Sequence, residues 1–587
     1  MEVIELEKKR KIRTFGWIQN PSNFESLKST VQVFDKDSRI YIEVRDIKIP
    51  RLVKDIEVRN TLVKAMNRLD NQYSYKELVG TGTSKRAEAP CDAIIQATIL
   101  DQGGKKGYID NWSADGFVRW AHALGFIEFD PNTDSFYLTD TGLIYSRTKK
   151  DSKEEKDILI EALASYPPAI RILTLLEKGE LLTKFDLGKN LGFTGENGFT
   201  SIPQDLFLDA LANAPAKTKS DIRSDVEGSA DKYARMIAGW LSKVGLVTRL
   251  QKKFDVTIIG GEISEEYISH SYRITMEGLD ALRRAKGVSK HNRVPKRVYW
   301  EMFATNLTDK VYVRTRRAYI LEILMKNSTP LSMIQLQTKL KGLGFEEPEE
   351  TIKNDINGLI NTGIFIELSS KGYQLKDTIK PFVIPQFGVT EQLIKGEMEN
   401  KKAELRQKLK HVPHEYIELI EIAQDSKQNR LLEFKVVEFF KKIYGYDGRH
   451  LGGSRKPDGA LYTGSLKSNY GIILDTKAYK DGYSLPISQA DEMQRYVDEN
   501  NSRNQVINPN KWWEVYPISI VDFKFLFVSG FFKGEYKKQL ERVSHLTKRK
   551  GAVLSIEQLL LGGEKIKDGS LTLVEVSDKF KNDAINF

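Results

Sequence analysis

The chain reads as a multidomain α+β protein: three tandem winged-helix subdomains of the helix-turn-helix kind, followed by an α/β domain with a mixed sheet. Three observations predict this. A pattern of helix, glycine, strand, turn and strand recurs three times in the first two thirds. Lys380-Pro381 and Ile384-Pro385 then break the helical periodicity. Beyond them, short apolar strands alternate with helical stretches, the grammar of a sheet covered on both faces.

The first copy runs from Gly116 to Leu143. The second runs from Ala234 to Ile259 and closes with SYRITMEGLDAL, and the third runs from Asp355 to Asp377. In each, apolar residues three and four apart mark a helix that ends at Gly125, Gly245 or Gly363. A short strand follows over 126–129, 246–250 or 364–368, then a polar turn and a second strand. The helix-turn-helix front halves are legible at Ala169–Phe193 and Arg316–Phe345. Such a unit places its last helix in the major groove of duplex DNA, and its hairpin reaches backbone or minor groove. Winged helices also serve as protein–protein modules, because fold does not dictate function. Three in tandem favour nucleic acid here, since 90 Lys and Arg outnumber 80 Asp and Glu.

These boundaries predict five segments. A first recognition subdomain with an N-terminal arm covers 1–150, a second covers 151–292, and a third covers 293–379. A linker covers 380–391, and an α/β domain covers 392–587. A charged helix is expected from about Thr390 to Lys410, stopped by Pro413. HEYIELIEIA and NRLLEFKVVEFFKKIYGY predict helices; YGIILDTKAY, FKFLFVSG and AVLSI predict strands.

Composition excludes several chemistries. The one cysteine, Cys91, rules out a disulfide framework, a four-cysteine zinc site and an all-cysteine iron–sulfur cluster. No HExxH is present, which argues against a zinc hydrolase. The charged start MEVIELEKKRKIR is not a secretory signal, and the apolar runs are too short to span a bilayer. The expectation is a soluble, intracellular, multidomain protein with no membrane partner.

Chemistry concentrates between Lys456 and Lys477. Lys456-Pro457-Asp458-Gly459 precedes one strand signal, and Ile472-Ile473-Leu474-Asp475-Thr476-Lys477 ends the next. Residues two apart on a strand share a face, so Asp475 and Lys477 project together. Asp458 meets them if the two strands pair as a hairpin. Two carboxylates, the Thr476 carbonyl and waters suit Mg²⁺, a hard cation that keeps several waters. The metal would polarise a phosphodiester oxygen and lower the pKa of a bound water, while Lys477 would hold that water and steady the charge on phosphorus. A D-x-K or E-x-K triplet alone means little, since Glu7-Lys8-Lys9 and Asp46-Ile47-Lys48 also satisfy it. Asp475 differs because it follows a fully apolar run, where a charge is costly unless used. The glycine-rich approach LGGSRKPDG lets backbone come close to a ligand.

Asp491 and Arg495 sit four apart on the probable helix QADEMQRY. They form either an intrahelical surface pair or an isologous contact, with Asp491 of one chain against Arg495 of another. One active site per chain favours the second, because cutting both strands of a duplex calls for two.

The chain resembles the FokI-like type IIS restriction endonucleases, and the resemblance runs nearly end to end. The stretches that carry it are GRHLGGSRKPDGA, LDTKAY, LPISQADEMQRYV and FKFLFVSG in the last domain. In the front part they include KIRTFGWIQNP, EAPCDAIIQATI, LTKFDLGKNLGF, SADKYARMI and RVPKRVYWEM. The resemblance implies three winged-helix-like recognition subdomains, a linker and a PD-(D/E)xK cleavage domain. It implies Mg²⁺-dependent staggered cutting of double-stranded DNA at a fixed distance from a short asymmetric site, expected to be GGATG. It implies transient homodimerisation of cleavage domains on DNA, a third winged helix that packs on the cleavage domain, and a cognate DNA methyltransferase in the same system. The implied catalytic set is Asp458, Asp475 and Lys477, and the dimer helix carries Asp491 and Arg495. Gln19 and Asn20 in the arm resemble positions that face bases, as do Arg86 and Trp112, and Glu227, Lys232 and Arg235. The Arg, Lys, Gln, Asn and Glu types among them suit base edges. The chain departs from the family pattern at Ser224-Asp225-Val226, beside those readers. Two other readings of the residues are a non-enzymatic winged-helix regulator and a repair nuclease directed by DNA structure.

Overall fold

Gly125, Gly245 and Gly363 all have positive φ, at 76°, 81° and 106°, and each turns the chain out of a helix toward a strand. The computed structural model describes residues 15–82, 88–196, 198–199, 201–228, 231–288, 293–305, 309–385, 395–453, 455–465 and 468–587. The chain divides into two compact units. One comprises Met1–Phe193, Lys232–Leu250 and His270–Gly396; the other comprises Thr194–Asp231, Gln251–Ser269 and Glu397–Phe587.

Three winged helices stand where the repeats predict them. The first comprises β1 (Tyr73–Ser74), α1 (Tyr75–Val79), α2 (Asn111–Ala123), β2 (Ile127–Asp130) and β3 (Ser135–Leu138), in sheet order β1-β3-β2. The second begins with α3 (Pro167–Leu175), β4 (Leu182–Thr183) and α4 (Lys184–Lys189), and an inserted helix α5 (Gln204–Ala212) follows. It continues with α6 (Lys232–Lys243), β5 (Val247–Thr257) and β6 (Ile263–Ile274), in order β4-β6-β5. The third comprises α7 (Lys310–Met325), α8 (Met333–Gly342), α9 (Glu349–Thr362) and the hairpin β7 (Ile366–Ser369) and β8 (Gly372–Leu375). One local device starts the equivalent helix in all three. Ser74 with Glu77, Thr183 with Asp186 and Ser332 with Gln335 form reciprocal capping boxes. In the second copy the hairpin strands run well past the expected 246–250.

Within the first unit, the last helices of the first two winged helices lie side by side. Trp120 of α2 stacks on Trp240 of α6, with ring centroids 4.7 Å apart at 21°. The N-terminal arm is held against them: the Trp240 indole N–H donates to the Pro21 carbonyl at 2.9 Å, and Trp17 packs on Tyr233. In the third winged helix the fully buried Asp355 accepts from Arg316 Nε at 2.6 Å and Arg317 Nε at 2.7 Å.

The second unit is built on a six-stranded mixed sheet. It comprises α10 (Glu397–Lys408), α11 (Asn429–Phe439), β9 (Asp447–His450), β10 (Gly459–Ser465), β11 (Ser468–Lys477), α12 (Ile487–Ser502), β12 (Asp522–Ser529), α13 (Tyr536–Thr547), β13 (Gly551–Ser555), α14 (Ile556–Lys567) and β14 (Asp583–Ala584). The strand order is β14-β13-β12-β11-β10-β9. Strands β9, β10 and β11 pair antiparallel, and β11 to β14 pair parallel. Alternate residues feed two apolar cores. Ile472, Leu474 and Leu526 join α11 and α14 on one face, while Ile473, Phe525 and Phe527 join α12 and α13 on the other. Parts of the second recognition segment belong to this unit: Leu206 of α5 enters the first of these cores, and Asp209 forms an ion pair with Arg449 of β9.

The charged helix begins at Glu397; its expected start near Thr390 and half of the predicted linker, 386–391, lie outside the described residues. HEYIELIEIA forms a 3₁₀ turn, His414–Glu418, followed by one helical turn, Leu419–Ile422. Among the described residues, no single helix is long and apolar enough to cross a membrane.

Candidate active site and DNA-reading surface

The register of the β10–β11 hairpin pairs Gly459 with Leu474. Asp458 therefore stands across from Asp475, one step beyond the last pair. Ala460 and Ile473 both enter the core beneath α12. By strand alternation, Asp458, Asp475 and Lys477 share that face. The three predicted residues meet as expected. Lys477 Nζ lies 2.9 Å from Asp475 Oδ1 and 2.7 Å from Oδ2. The Thr476 N–H donates to Asp458 Oδ2 at 2.6 Å, and its hydroxyl donates to the same oxygen at 3.0 Å. Thr476, predicted as a carbonyl ligand, thus also fixes one carboxylate.

The charges are held under tension. Burial raises the Asp458 pKa well above the usual carboxylate range. Asp475 and Glu433 push it further, while Lys477 and the Thr476 N–H pull against them. Burial likewise raises Asp475 despite Lys477, with Glu492 and Glu433 adding to the rise. Burial opposes the Lys477 ammonium, but Asp475 and Asp458 outweigh it and its pKa is raised.

A hard divalent cation fits this arrangement. Asp475 Oδ2 is buried and makes no hydrogen bond, since Lys477 Nζ is near it but poorly aimed. Both donors from Thr476 go to Asp458 Oδ2, which leaves Oδ1 for another ligand. Beside the Lys477 ammonium, the unsatisfied Asp475 Oδ2 and the Asp458 Oδ1 offer hard oxygens to a cation in a pocket that raises their proton affinity.

Sequence reasoning missed two neighbours. Glu433 of α11 bears on both aspartates, and its Oε2 lies 3.0 Å from Nε2 of the buried His450 at the end of β9. His450 stacks on Phe434, and burial lowers its pKa. Glu433 is separated from Asp458 by 25 positions and another element, so no spacing rule could pair them.

On α12, Asp491 and Arg495 do not pair with each other. Asp491 Oδ1 accepts from Arg542 of α13 at 2.7 Å, and Arg495 Nη2 donates to Glu492 at 3.1 Å. Both remain partly exposed.

The predicted base readers divide into two kinds. Gln19 hydrogen-bonds Tyr233, between Lys232 and Arg235 at the start of α6. Asn20 is exposed beside it in the arm, and Trp112, 40% exposed, opens α2. Glu227 is different: it is buried, paired with Arg223 at 3.3 Å, and accepts the Ser269 N–H at 3.2 Å. Arg86 lies outside the described residues, as does the side chain of Asp225. Of the departing segment, Val226 is buried.

Winged helices on one chain with paired aspartates and a lysine at the end of a mixed-sheet hairpin define a PD-(D/E)xK nuclease with separate recognition modules. Residues 13–148 match the profile of the FokI recognition domain, subdomain 1, and residues 155–290 match that of subdomain 2. Residues 303–371 match the FokI D3 domain, and residues 395–586 the FokI cleavage domain. Type II restriction enzyme FokI of Planomicrobium okeanokoites is 66% identical over 577 residues, covering 98% of this chain and 100% of that protein. Type II restriction enzyme StsI of Streptococcus sanguinis is 32% identical over 579 residues, covering 96% and 94%. Two solved structures, of restriction endonuclease FokI alone and bound to DNA, match with TM-scores of 0.93 and 0.94 at 64% and 66% identity. Each match covers 98% of this chain and all of the other. The chain belongs to the FokI family of type II restriction enzymes.

Proposed function

We propose that the protein is a type IIS restriction endonuclease that binds the asymmetric duplex site GGATG and makes staggered cuts about one helical turn, ~10 bp, downstream. The observation that carries this is the meeting of Asp458, Asp475 and Lys477 across β10–β11, in a chain aligned end to end with FokI.

Asp458, Asp475 and the Thr476 carbonyl would hold Mg²⁺. Bound there, the ion supplies a polarised phosphodiester oxygen and a water of lowered pKa. The chain's own part is to place charge. Lys477 keeps its proton at Nζ and orients the attacking water toward phosphorus. Thr476 fixes the Asp458 carboxylate with two hydrogen bonds. Base reading falls to Gln19, Asn20, Arg86, Trp112, Lys232 and Arg235, while Glu227 acts from inside by bracing Arg223. Basic residues over the recognition segments supply salt-dependent phosphate contacts. The segments follow the divisions 1–150, 151–292, 293–379, 380–391 and 392–587. Cleavage domains dimerise transiently through Asp491 and Arg495, so that each strand meets one active site. The enzyme works in the bacterial cytoplasm beside a cognate DNA methyltransferase.

The test is a digest. Plasmid is incubated with the protein and Mg²⁺, the ends are sequenced, and Asp475→Ala runs in parallel. Staggered ends at one offset from one short sequence, absent with the variant, are expected. Plasmid left intact by the unaltered protein would point to a binding-only regulator. Cuts at branched DNA regardless of sequence would point to a repair nuclease.

A further inference from the structure

We infer that Ser529 is a positioning residue for Lys477: its hydroxyl accepts one N–H of the ammonium when that ammonium turns to the attacking water. The inference rests on the nuclease reading above.

Strands β11 and β12 run parallel, and their register pairs Lys477 with Ser529. Ile473 and Phe525, partners four residues earlier, both enter the core beneath α12. By strand alternation, Ser529 projects on the same side of the sheet as Asp475 and Lys477. Along this row β12 presents Phe523, Phe525 and Phe527 to the core, and then a hydroxyl at the position beside Lys477.

No packing role accounts for that hydroxyl. Ser529 is fully buried, and among the described residues its Oγ has no hydrogen-bond partner. An unpaired buried hydroxyl is costly, and alanine would avoid the cost. Ser555, the partner of Ser529 on β13, has a structural task instead: its hydroxyl caps α14 by accepting the Gln558 N–H at 3.3 Å. The neighbouring lysine has the complementary surplus. Its ammonium carries three N–H donors, and one hydrogen bond holds it among the described residues, to Asp475 Oδ1 at 2.9 Å.

The two side chains differ in freedom. Beyond Ser529, the Phe531 carbonyl accepts the Tyr483 N–H at 2.9 Å, and the Lys533 N–H donates to the Tyr483 carbonyl at 3.0 Å. The segments leaving β11 and β12 are thus zipped together, which fixes Ser529 in place. Lys477 ends a flexible four-carbon stem, long enough to cross the roughly 4.8 Å between paired strands. With Ser529 engaged, the ammonium has one proton on Asp475, one on Ser529 and one left for the attacking water. Held at two points it aims that third proton in one direction; held at one it swings. With no exposed surface, Ser529 acts only through the lysine.

The test uses the full-length protein and a duplex carrying GGATG. Cutting is followed in a single turnover at saturating Mg²⁺, DNA affinity is measured in Ca²⁺, and the thermal midpoint is taken without metal. Ser529→Ala and Ser529→Cys both remove the strong acceptor; alanine leaves a small gap and cysteine fills it. Both should cut about tenfold more slowly, the loss of one hydrogen bond to a charged group. DNA affinity should not change. The midpoint of Ser529→Ala should stay level or rise, because an unpaired buried hydroxyl has gone. A rate equal to that of the unaltered protein would overturn the inference. So would a loss in alanine that cysteine restores, which would assign the effect to volume, and so would a rate loss matched by a fallen midpoint. A duplex left whole by the unaltered protein would instead remove the reading of site and activity on which the inference rests.

Discussion

Thr476→Val removes one donor from Asp458 and little else. The side chain is buried, and valine matches threonine in volume, so the packing between β11 and its neighbours is kept. What is lost is the hydroxyl hydrogen bond to Asp458 Oδ2 at 3.0 Å; the shorter one from the Thr476 N–H, at 2.6 Å, remains. A hydrogen bond to a charged group is worth roughly 1.5–3 kcal/mol. With the backbone donor still in place, the lower end applies. About 1.4 kcal/mol of misplacement of Asp458 corresponds to a tenfold rate. The expected outcome is a cutting rate about tenfold lower at saturating Mg²⁺, with a higher Mg²⁺ concentration needed for half-maximal rate. DNA binding measured in Ca²⁺ should not change. An unaltered rate together with an unaltered Mg²⁺ requirement would refute the role given to the hydroxyl.

Two further outcomes follow from burial and charge. The pKa values of Asp458 and Asp475 are raised in the folded state above the ordinary 3.8. At these two groups the folded chain holds more protons than the unfolded one, so their contribution to metal-free stability falls as pH rises from about 4 through the raised values. Mg²⁺ at tenfold over its Kd should restore about 1.4 kcal/mol, a Tm rise of about 3–6 °C for the cleavage domain. Calorimetry should show that rise at neutral pH, a smaller one in mild acid and none in Asp475→Asn; equal rises at both pH values would contradict the arrangement. Asp355→Ala removes the carboxylate that the buried Arg316 and Arg317 share, leaving Arg316 on Glu347 and Arg317 on the Phe303 carbonyl, and should cost about 3 kcal/mol in denaturant unfolding. A loss under about 1 kcal/mol would mean the pair carries little.

The repeats were legible because their signals are local. Gly125, Gly245 and Gly363 do in space what their places after helices suggest. The meeting of Asp458, Asp475 and Lys477 was legible for a similar reason: strand periodicity puts Asp475 and Lys477 on one face, and the gap to Asp458 is compatible with the hairpin that pairs Gly459 with Leu474. Glu433 was not legible, since it bears on both aspartates from a helix whose own pattern speaks only of its apolar side. Glu227 shows a placement that residue type does not give. Its residue type suits a base edge, yet its place beneath Arg223 and Ser269 is a tertiary fact. Asp491 and Arg495 have helix spacing for each other but take Arg542 and Glu492 instead, because neighbouring side chains offer better geometry.

The stacking of Trp120 on Trp240, with the arm clamped beside them, bears on redesign. Two helices fused through their indoles behave as the two prongs of one plug. Whatever either prong touches is sampled at a spacing neither can adjust. Exchanging one winged helix for another would break the stack before it altered a single contact, so new specificities have to be sought in residues at the prong tips, with the shaft left whole.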